Sequence, residues 1–270
     1  MALDNDFTAS GFSLKSAYYL AKVSEAAYRS DLSGVVVELG FPPETPVLMF
    51  GEYFGFVADV GGAVVLAFRG TDSFDNWLTD GNVAQVSDPA YPGKVHRGFA
   101  AALGLMWPGL KERLPAGRPV WVTGHSLGGA LATLAGVRLL ADGYDVPAVY
   151  TFGSPRVGDL DFYAGYRPVN YRVVNNDDLV AHIPLETMIL AVRPFGLRQF
   201  TYKHVGTLEY LDRHGKLGEG MSGWDAKKEF ILSGLVRAGG TPGPRAVEDH
   251  RIANYVAAIA SNLPPPETSE

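Results

Sequence analysis

The sequence predicts an α/β fold in a single domain over residues 1–270, with a mostly parallel central sheet flanked by helices. Apolar, strand-like runs alternate with helix-like segments and end in polar turns, which is typical of parallel sheets with a site at the strand carboxyl ends. Residues 119–140 indicate a strand, a sharp turn and a helix, with Ser126 at the turn. The chain has 270 residues, of which 47% are hydrophobic and 19% are charged. This length and composition are typical of one globular domain with a buried core.

Charge and composition exclude several functional classes. The net charge of −6 comes without any block of like charges, so neither nucleic acid nor an anionic membrane surface is indicated as a partner. The absence of cysteine excludes disulfides, thiolate metal sites and a thiol nucleophile. Asp4 and Asp6 stand where a signal peptide has basic residues. A membrane-spanning helix needs about 20 consecutive apolar residues, and no apolar run in the sequence is that long. We therefore expect a soluble protein, either cytoplasmic or secreted with a leader that is not in this chain.

The first elements lead to a candidate oxyanion site. Residues 13–28 have the apolar spacing of an amphipathic helix, whose tyrosines we interpret as core packing. Residues 53–60 and 63–68 predict two strands joined through Gly61-Gly62 as a hairpin. The second strand runs into a glycine turn, where the N–H of Thr71 could serve as an oxyanion donor. The alternative is a plain turn at the strand end.

A short helical segment, Ser73 to Asp80, carries Phe74, Trp77 and Leu78 on one face. Such a face is ordinarily part of the core. Beside a hydrolytic site it could instead be a lid that opens on a lipid surface. Because turn residues follow it, we expect residues 73–93 to form a lid helix and its flanking loop.

The stretch around Ser126 is the strongest motif in the chain. Residues 98–114 predict a helix interrupted at Trp107-Pro108, and an apolar strand then meets the Gly-x-Ser-x-Gly turn. Gly124 and Gly128 remove side chains that would collide around a strained serine. The N–H of Leu127, at the start of the following helix, can then point at an oxyanion. The alternative interpretation is a glycine-rich turn before a core helix.

A serine nucleophile needs a histidine base and a carboxylate, and in this fold their chain order is serine, acid, histidine. Strands at 147–152 and 170–174 end in polar loops with four candidate acids, which are Asp159, Asp161, Asp177 and Asp178. His182 follows Asp178 too closely to turn back onto both groups. The chain order also excludes His96 and His125, and we expect His125 to pack at the turn. The remaining bases are His204, His214 and His250. Of these, His250 follows a glycine- and proline-rich loop at 238–244 and opens a helix at 250–260.

The sequence resembles the class 3 lipases, the fungal-type triacylglycerol lipases with related feruloyl esterases and plant phospholipases. The matching segments are Phe68-Arg69-Gly70-Thr71 with Asn76-Trp77, Val95-His96-Arg97-Gly98-Phe99, Gly124 to Ala132, Thr151 to Gly158, and Val174-Asn175-Asn176-Asp177-Asp178-Leu179-Val180. Together they span most of the chain and are highly specific.

The resemblance implies an α/β-hydrolase fold and assigns roles to five residues. These are Ser126 as nucleophile, Asp178 as acid, His250 as base, and the N–H groups of Thr71 and Leu127 as oxyanion hole. It also implies that Ser73 to Asp80 is the lid and that His204 belongs to the fold. The chain departs from the family at Ala181, where a proline is usual, and in lacking the disulfides of secreted fungal members.

We therefore expect a serine carboxylester hydrolase, a triacylglycerol lipase that needs no metal or organic cofactor and acts on an acyl ester or lipid at a lipid–water interface. The alternatives are a soluble-substrate esterase of the feruloyl esterase type, a phospholipase A1, and a lipase-like binding protein without catalysis. Phe74 and Trp77, with the apolar run 188–192, favour an apolar acyl site. The tail, residues 264–270, is expected to be disordered.

Overall fold

The computed structural model describes residues 7–29, 38–42, 47–50, 53–70, 83–192, 196–219 and 244–265. Several expectations concern residues outside these ranges. They are the oxyanion candidate Thr71, the lid helix with Phe74, Trp77 and Leu78, the loop at 238–243 and the tail beyond residue 265.

One eight-stranded sheet dominates the described part of the chain, and two two-stranded sheets lie outside it. The strands are β1 (Val47–Phe50), β2 (Tyr53–Asp59), β3 (Val64–Phe68), β4 (Gln85–Ser87), β5 (Lys94–His96), β6 (Val120–His125), β7 (Val149–Phe152), β8 (Asn170–Asn175), β9 (Thr187–Val192), β10 (Gly196–Thr201), β11 (Thr207–Leu211) and β12 (Leu217–Glu219). The main sheet has the order β1-β2-β3-β6-β7-β8-β11-β12. From β3 to β11 neighbouring strands are parallel, while β1, β2 and β12 add antiparallel edges. The predicted mostly parallel sheet and the hairpin at Gly61-Gly62 are confirmed.

Six α-helices accompany the strands within the described residues. They are α1 (Leu14–Ala26), α2 (Arg97–Lys111), α3 (Leu127–Ala141), α4 (Leu160–Gly165), α5 (Pro244–Asp249) and α6 (Ile252–Ala260). The helices predicted from 13–28, after Ser126 and from 250–260 are confirmed as α1, α3 and α6.

The central sheet is buried on both faces because the side chains of each strand alternate between two cores. Along β3, Val64, Leu66 and Phe68 join one core with α2 and α3. Val65 and Ala67 project into the other core, with α1 and α6. Continuous burial of this kind is typical of parallel strands covered by helices on both sides. The strand ends that carry the site residues are therefore fixed by a packed core.

Contrary to expectation, Pro108 does not interrupt its helix. Pro108 lies in the last turn of α2, which is continuous to Lys111. An interior proline costs about 3 kcal/mol. On the core-facing side of α2, Phe99, Leu103 and Met106 are buried, and each such side chain stabilises the fold by about 1.5–3 kcal/mol. Burial of the apolar face thus outweighs the backbone penalty.

The apolar run 188–192, which the sequence associates with an acyl site, belongs to β9. This strand pairs with β10 as a separate two-stranded sheet. Ile189 in this run is 62% exposed, and Leu197 on the neighbouring strand is 75% exposed. The role of the run in acyl binding stays a prediction.

Candidate active site

Ser126 stands at the junction of β6 and α3 in a backbone conformation that L-residues rarely adopt, with φ 59° and ψ −129°. Such geometry costs about 1–3 kcal/mol and persists where the surrounding structure enforces it. The side chain is 1% exposed, and within the described part of the chain its Oγ has no hydrogen-bond partner. An unbonded hydroxyl on a strained turn indicates a functional role, since packing or hydrogen bonding does not require it.

Two glycines let the strand and helix around Ser126 approach each other. A Cβ on Gly124 would lie 2.2 Å from the carbonyl oxygen of Gly128. A Cβ on Gly128 would lie 2.2 Å from the carbonyl oxygen of Phe68 on β3. Any larger residue at either position would push α3 away from the sheet, so the predicted reason for both glycines is confirmed.

The two oxyanion candidates belong to different parts of the chain. Leu127 opens α3, so its N–H is one of the four without an acceptor in the helix, where the dipole places partial positive charge. Gly70, which precedes Thr71, lies so close that a Cβ there would be 3.0 Å from the Cβ of Ser126. Because Thr71 itself lies outside the described residues, its donor role stays a prediction.

Asp178 is the candidate acid that the structure brings together with a histidine. It is fully buried in the loop after β8, and each carboxylate oxygen lies 3.0 Å from Nδ1 of His250. The N–H of Val180 donates to Oδ1 at 2.8 Å, and the hydroxyl of Tyr255 donates to Oδ2. Burial alone would raise the pKa of Asp178, but His250 and the Tyr255 hydroxyl outweigh burial and hold that pKa below its usual value. Asp178 is therefore ionised at neutral pH.

The contact with Asp178 fixes the tautomer of His250. A carboxylate only accepts hydrogen bonds, so Nδ1 of His250 carries the proton and donates it. In the neutral ring, Nε2 is then free of a proton, which is the state of a general base. The ring of His125, the residue before Ser126, lies 4.6 Å from the ring of His250 between centroids. The candidate base, His250, is thus held beside the turn that carries Ser126.

Gly153 makes room for the pair of Asp178 and His250. Its φ is +56°, and a Cβ there would lie 2.5 Å from Oδ2 of Asp178 and 3.1 Å from Nδ1 of His250. Glycine is needed at this position both for its backbone conformation and for the space.

The three other candidate acids occupy different places. Asp177 is partly exposed, and its backbone N–H donates to Oδ2 of Asp249 at 3.3 Å. Asp159 caps α4, where its Oδ1 accepts the N–H of Phe162 at 2.9 Å. Asp161 is exposed in the first turn of the same helix.

The remaining histidines have structural environments. Nδ1 of His96 accepts two N–H groups at the start of α2, and His182 is buried in a 3-10 turn after Asp178. Nε2 of His204 donates to the carbonyl of Ala181 at 2.6 Å. His214 is exposed in a turn between β11 and β12.

Two histidines, the buried His125 and the partly buried His204, should make the fold sensitive to mild acid. Burial and, as a smaller contribution, the nearby His250 lower the pKa of His125 from 6.5 to about 3. Burial and the nearby positive charges of Arg172 and Arg156 lower the pKa of His204. Below pH 6.5 the unfolded chain binds protons that the native protein does not, so the free energy of unfolding rises with pH in this window. For each histidine the slope should approach about 1.4 kcal/mol per pH unit near pH 5 and fall to about half of that at pH 6.5. Urea unfolding between pH 5 and pH 7 measures it.

His204→Phe is the matched variant for this measurement, since it removes one of the two titrating groups. We expect it to reduce the slope by about half, whatever its effect on absolute stability. A free energy of unfolding that stays constant from pH 5 to pH 7 in the unmodified protein would contradict the burial of neutral histidines.

Three contributors to the site could not be found by sequence reasoning. The hydroxyl of Tyr255 donates a hydrogen bond to Asp178, which lies 77 positions earlier in the chain. The same hydroxyl accepts a hydrogen bond from the N–H of Asn175 at 3.1 Å. Tyr28, interpreted as core packing, instead places its hydroxyl 2.7 Å from Nδ1 of His125. His125 itself was expected only to pack at the turn. These contacts join distant segments, so no local spacing indicates them.

The described residues contain neither a metal-binding cluster nor a membrane-spanning helix. In the ranges that the structure describes, no group of histidine and acidic side chains is arranged to hold a metal ion. Among the helices of these same ranges, none has the length and apolar character to cross a membrane.

Comparison with known proteins gives consistent matches. Residues 65–188 match the family model for lipase (class 3). A lipase of Caenorhabditis elegans is 32% identical over 192 residues, covering 62% of this chain and 54% of the relative. The secreted mono- and diacylglycerol lipase 1 of Fusarium solani is 38% identical over 132 residues, covering 45% of this chain and 39% of the relative. The chain thus spans about half or less of the length of these relatives.

The fold also matches solved structures. The triacylglyceride lipase of Rhizomucor miehei superposes with a TM-score of 0.57 at 25% sequence identity, covering 74% of this chain and 81% of that chain. Ser126 and Asp178 lie inside the segment that matches the family model, whereas His250 lies beyond it.

Proposed function

We propose that the protein is a serine carboxylester hydrolase, and specifically a triacylglycerol lipase, because residues 65–188 match the family model for lipase (class 3) and the curated relatives are lipases. The observation that carries the proposal is the contact of buried Asp178 with partly buried His250, close to the strained Ser126, whose Oγ has no hydrogen-bond partner among the described residues. These are the three side-chain types that acyl transfer through a serine requires, in the chain order of this fold.

In the proposed reaction, Nε2 of His250 takes the proton of Ser126 as Oγ attacks the ester carbonyl. Asp178 orients His250 and stabilises the imidazolium. The N–H groups of Leu127 and Thr71 hold the oxyanion of the tetrahedral intermediate. His250 then gives its proton to the departing alcohol, leaving an acyl-enzyme on Ser126. A water molecule, activated by the same histidine, attacks the acyl group and restores the serine.

The burial of Ser126 favours a gated lipase over an open-site esterase. Ser126 is 1% exposed, as expected for a serine that a lid covers in the absence of an interface. In the proposal the segment that moves is Ser73 to Asp80, which lies outside the described residues. A lipid–water interface would stabilise the open form by burying the apolar face that opening exposes.

Hydrolysis of tributyrin across its solubility limit tests this function. We expect a sharp rise in rate when the substrate separates into droplets, because only then does an interface stabilise the open site. A soluble p-nitrophenyl ester, mono- and diglycerides and a diacyl phospholipid are assayed in parallel, with Ser126→Ala as the blank.

The parallel substrates separate the alternatives. Saturation below the solubility limit, with the soluble ester as the best substrate, would identify an open-site esterase. Faster release of fatty acid from the phospholipid would identify a phospholipase. Absence of hydrolysis of every ester would leave a lipase-like binding protein.

A further inference from the structure

His125 connects three segments of the chain that are far apart in sequence. It is 4% exposed at the end of β6, directly before Ser126. Its Nε2 lies 2.6 Å from the backbone carbonyl oxygen of His250, and its Nδ1 lies 2.7 Å from the hydroxyl of Tyr28. One imidazole thus joins the end of the first helical segment, the serine turn and the segment that carries the proposed base.

These contacts determine the tautomer of His125. The carbonyl of His250 can only accept, so Nε2 of His125 carries the proton and donates it. Nδ1 is then an acceptor and takes the hydrogen bond of the Tyr28 hydroxyl. The ring stays neutral at working pH because burial, and after it the electrostatic interaction with the neighbouring His250, lowers the pKa of His125 to about 3. The groups that face it are Tyr28, His250, Tyr255 and Asp178.

The hydrogen bond from His125 holds a part of His250 that Asp178 does not. Asp178 binds the ring at Nδ1, and one hydrogen-bonded pair still permits the ring to pivot about it. His125 fixes the backbone of the same residue. The preceding carbonyl, that of Asp249, accepts the side-chain amide of Asn175 at 3.0 Å. Two consecutive carbonyls before α6 are therefore anchored to the ends of β6 and β8.

We propose that His125 is a positioning residue: its Nε2–H anchors the backbone of His250 so that Nε2 of His250 reaches Ser126, and Tyr28 holds His125 in the required tautomer. The inference rests on the proposed function, because it assigns a role in that same reaction. A displacement of about 1 Å between reacting groups can cost on the order of 100-fold in rate, so a single anchoring hydrogen bond is sufficient to matter.

His125→Phe and His125→Gln form the test pair. Phenylalanine keeps a flat buried ring but cannot donate to the carbonyl of His250, whereas the amide of glutamine can donate from near the position of Nε2. With a soluble p-nitrophenyl ester, we expect kcat of the phenylalanine variant to fall about 10- to 100-fold with KM within about twofold. Glutamine should restore most of kcat. His214→Gln, at an exposed histidine, is the control for the substitution itself.

Tyr28→Phe supplies an independent variant should His125→Phe fold poorly. It leaves the ring of His125 in place and removes only the hydroxyl that fixes its tautomer, so kcat should fall less than in His125→Phe, again at constant KM. Thermal unfolding of every variant checks that the comparison is made between folded proteins.

Each outcome supports or overturns the proposal. Wild-type kcat in a folded His125→Phe variant, or equal losses in the phenylalanine and glutamine variants at equal melting temperature, would show that the donor does not position His250. Failure of the proposed function is separate, because it would appear as inactivity of the unmodified protein toward all esters and no labelling of Ser126 by a fluorophosphonate probe.

Discussion

Ser126→Ala should give a folded protein whose ester hydrolysis is lower by about 10⁴-fold or more. The variant loses the only atom that forms the acyl-enzyme, and the neighbouring histidine and oxyanion donors cannot replace it. Stability should change little, because Oγ has no hydrogen-bond partner among the described residues. Initial rates with a soluble ester, together with thermal unfolding, measure both effects.

Ser24→Ala is the matched control, because Ser24 is also buried but lies in α1. Its Oγ is hydrogen-bonded to Oγ1 of Thr123 at 3.0 Å. This variant should lose about 1 kcal/mol of stability and keep its rate. The two serine variants should therefore give opposite results in the two assays. If Ser126→Ala hydrolysed esters at nearly the unmodified rate, the assignment of the serine turn would be wrong.

The serine could be placed from sequence because all its requirements are local. A strand, two glycines and a helix start lie within a few residues of Ser126, and the structure contains each of them. The reason for each glycine could also be given in advance, since strained backbone and close approach are short-range effects.

The acid could not be chosen by local reasoning, because Asp177 and Asp178 follow the same strand. What separates them is burial and contact with His250 and Tyr255, which lie 72 and 77 positions away. The resemblance to a family chose Asp178, and the structure places that residue against His250. Local spacing carried no equivalent information.

Tertiary packing also explains the failed expectations. Pro108 is tolerated because the face of α2 around Met106 is buried. Tyr28 is part of the site because the end of the first helix lies against the serine turn. In each case the deciding partner comes from a distant part of the chain, which local propensity cannot reveal.

His250→Ala should reduce turnover about as strongly as Ser126→Ala, by roughly 10⁴-fold, whereas His204→Ala should retain turnover within about tenfold. The first variant removes the nitrogen that accepts the serine proton. The second removes a donor to the carbonyl of Ala181, so it should cost stability, about 1–3 kcal/mol for a buried carbonyl left unpaired. The comparison of kcat/KM and urea unfolding for both variants separates a base from a structural histidine.

The loss in His250→Ala has a second cause that must be separated from the loss of the base. Without His250, the buried carboxylate of Asp178 loses the group that most lowers its pKa, and burial then raises that pKa and destabilises the loop. His250→Asn resolves the two causes, because its amide can still donate to Asp178 from near the position of Nδ1 but cannot accept a proton. An inactive but stable asparagine variant identifies His250 as the base. Activity that persists in both His250 variants and disappears in His204→Ala would instead assign the base to His204.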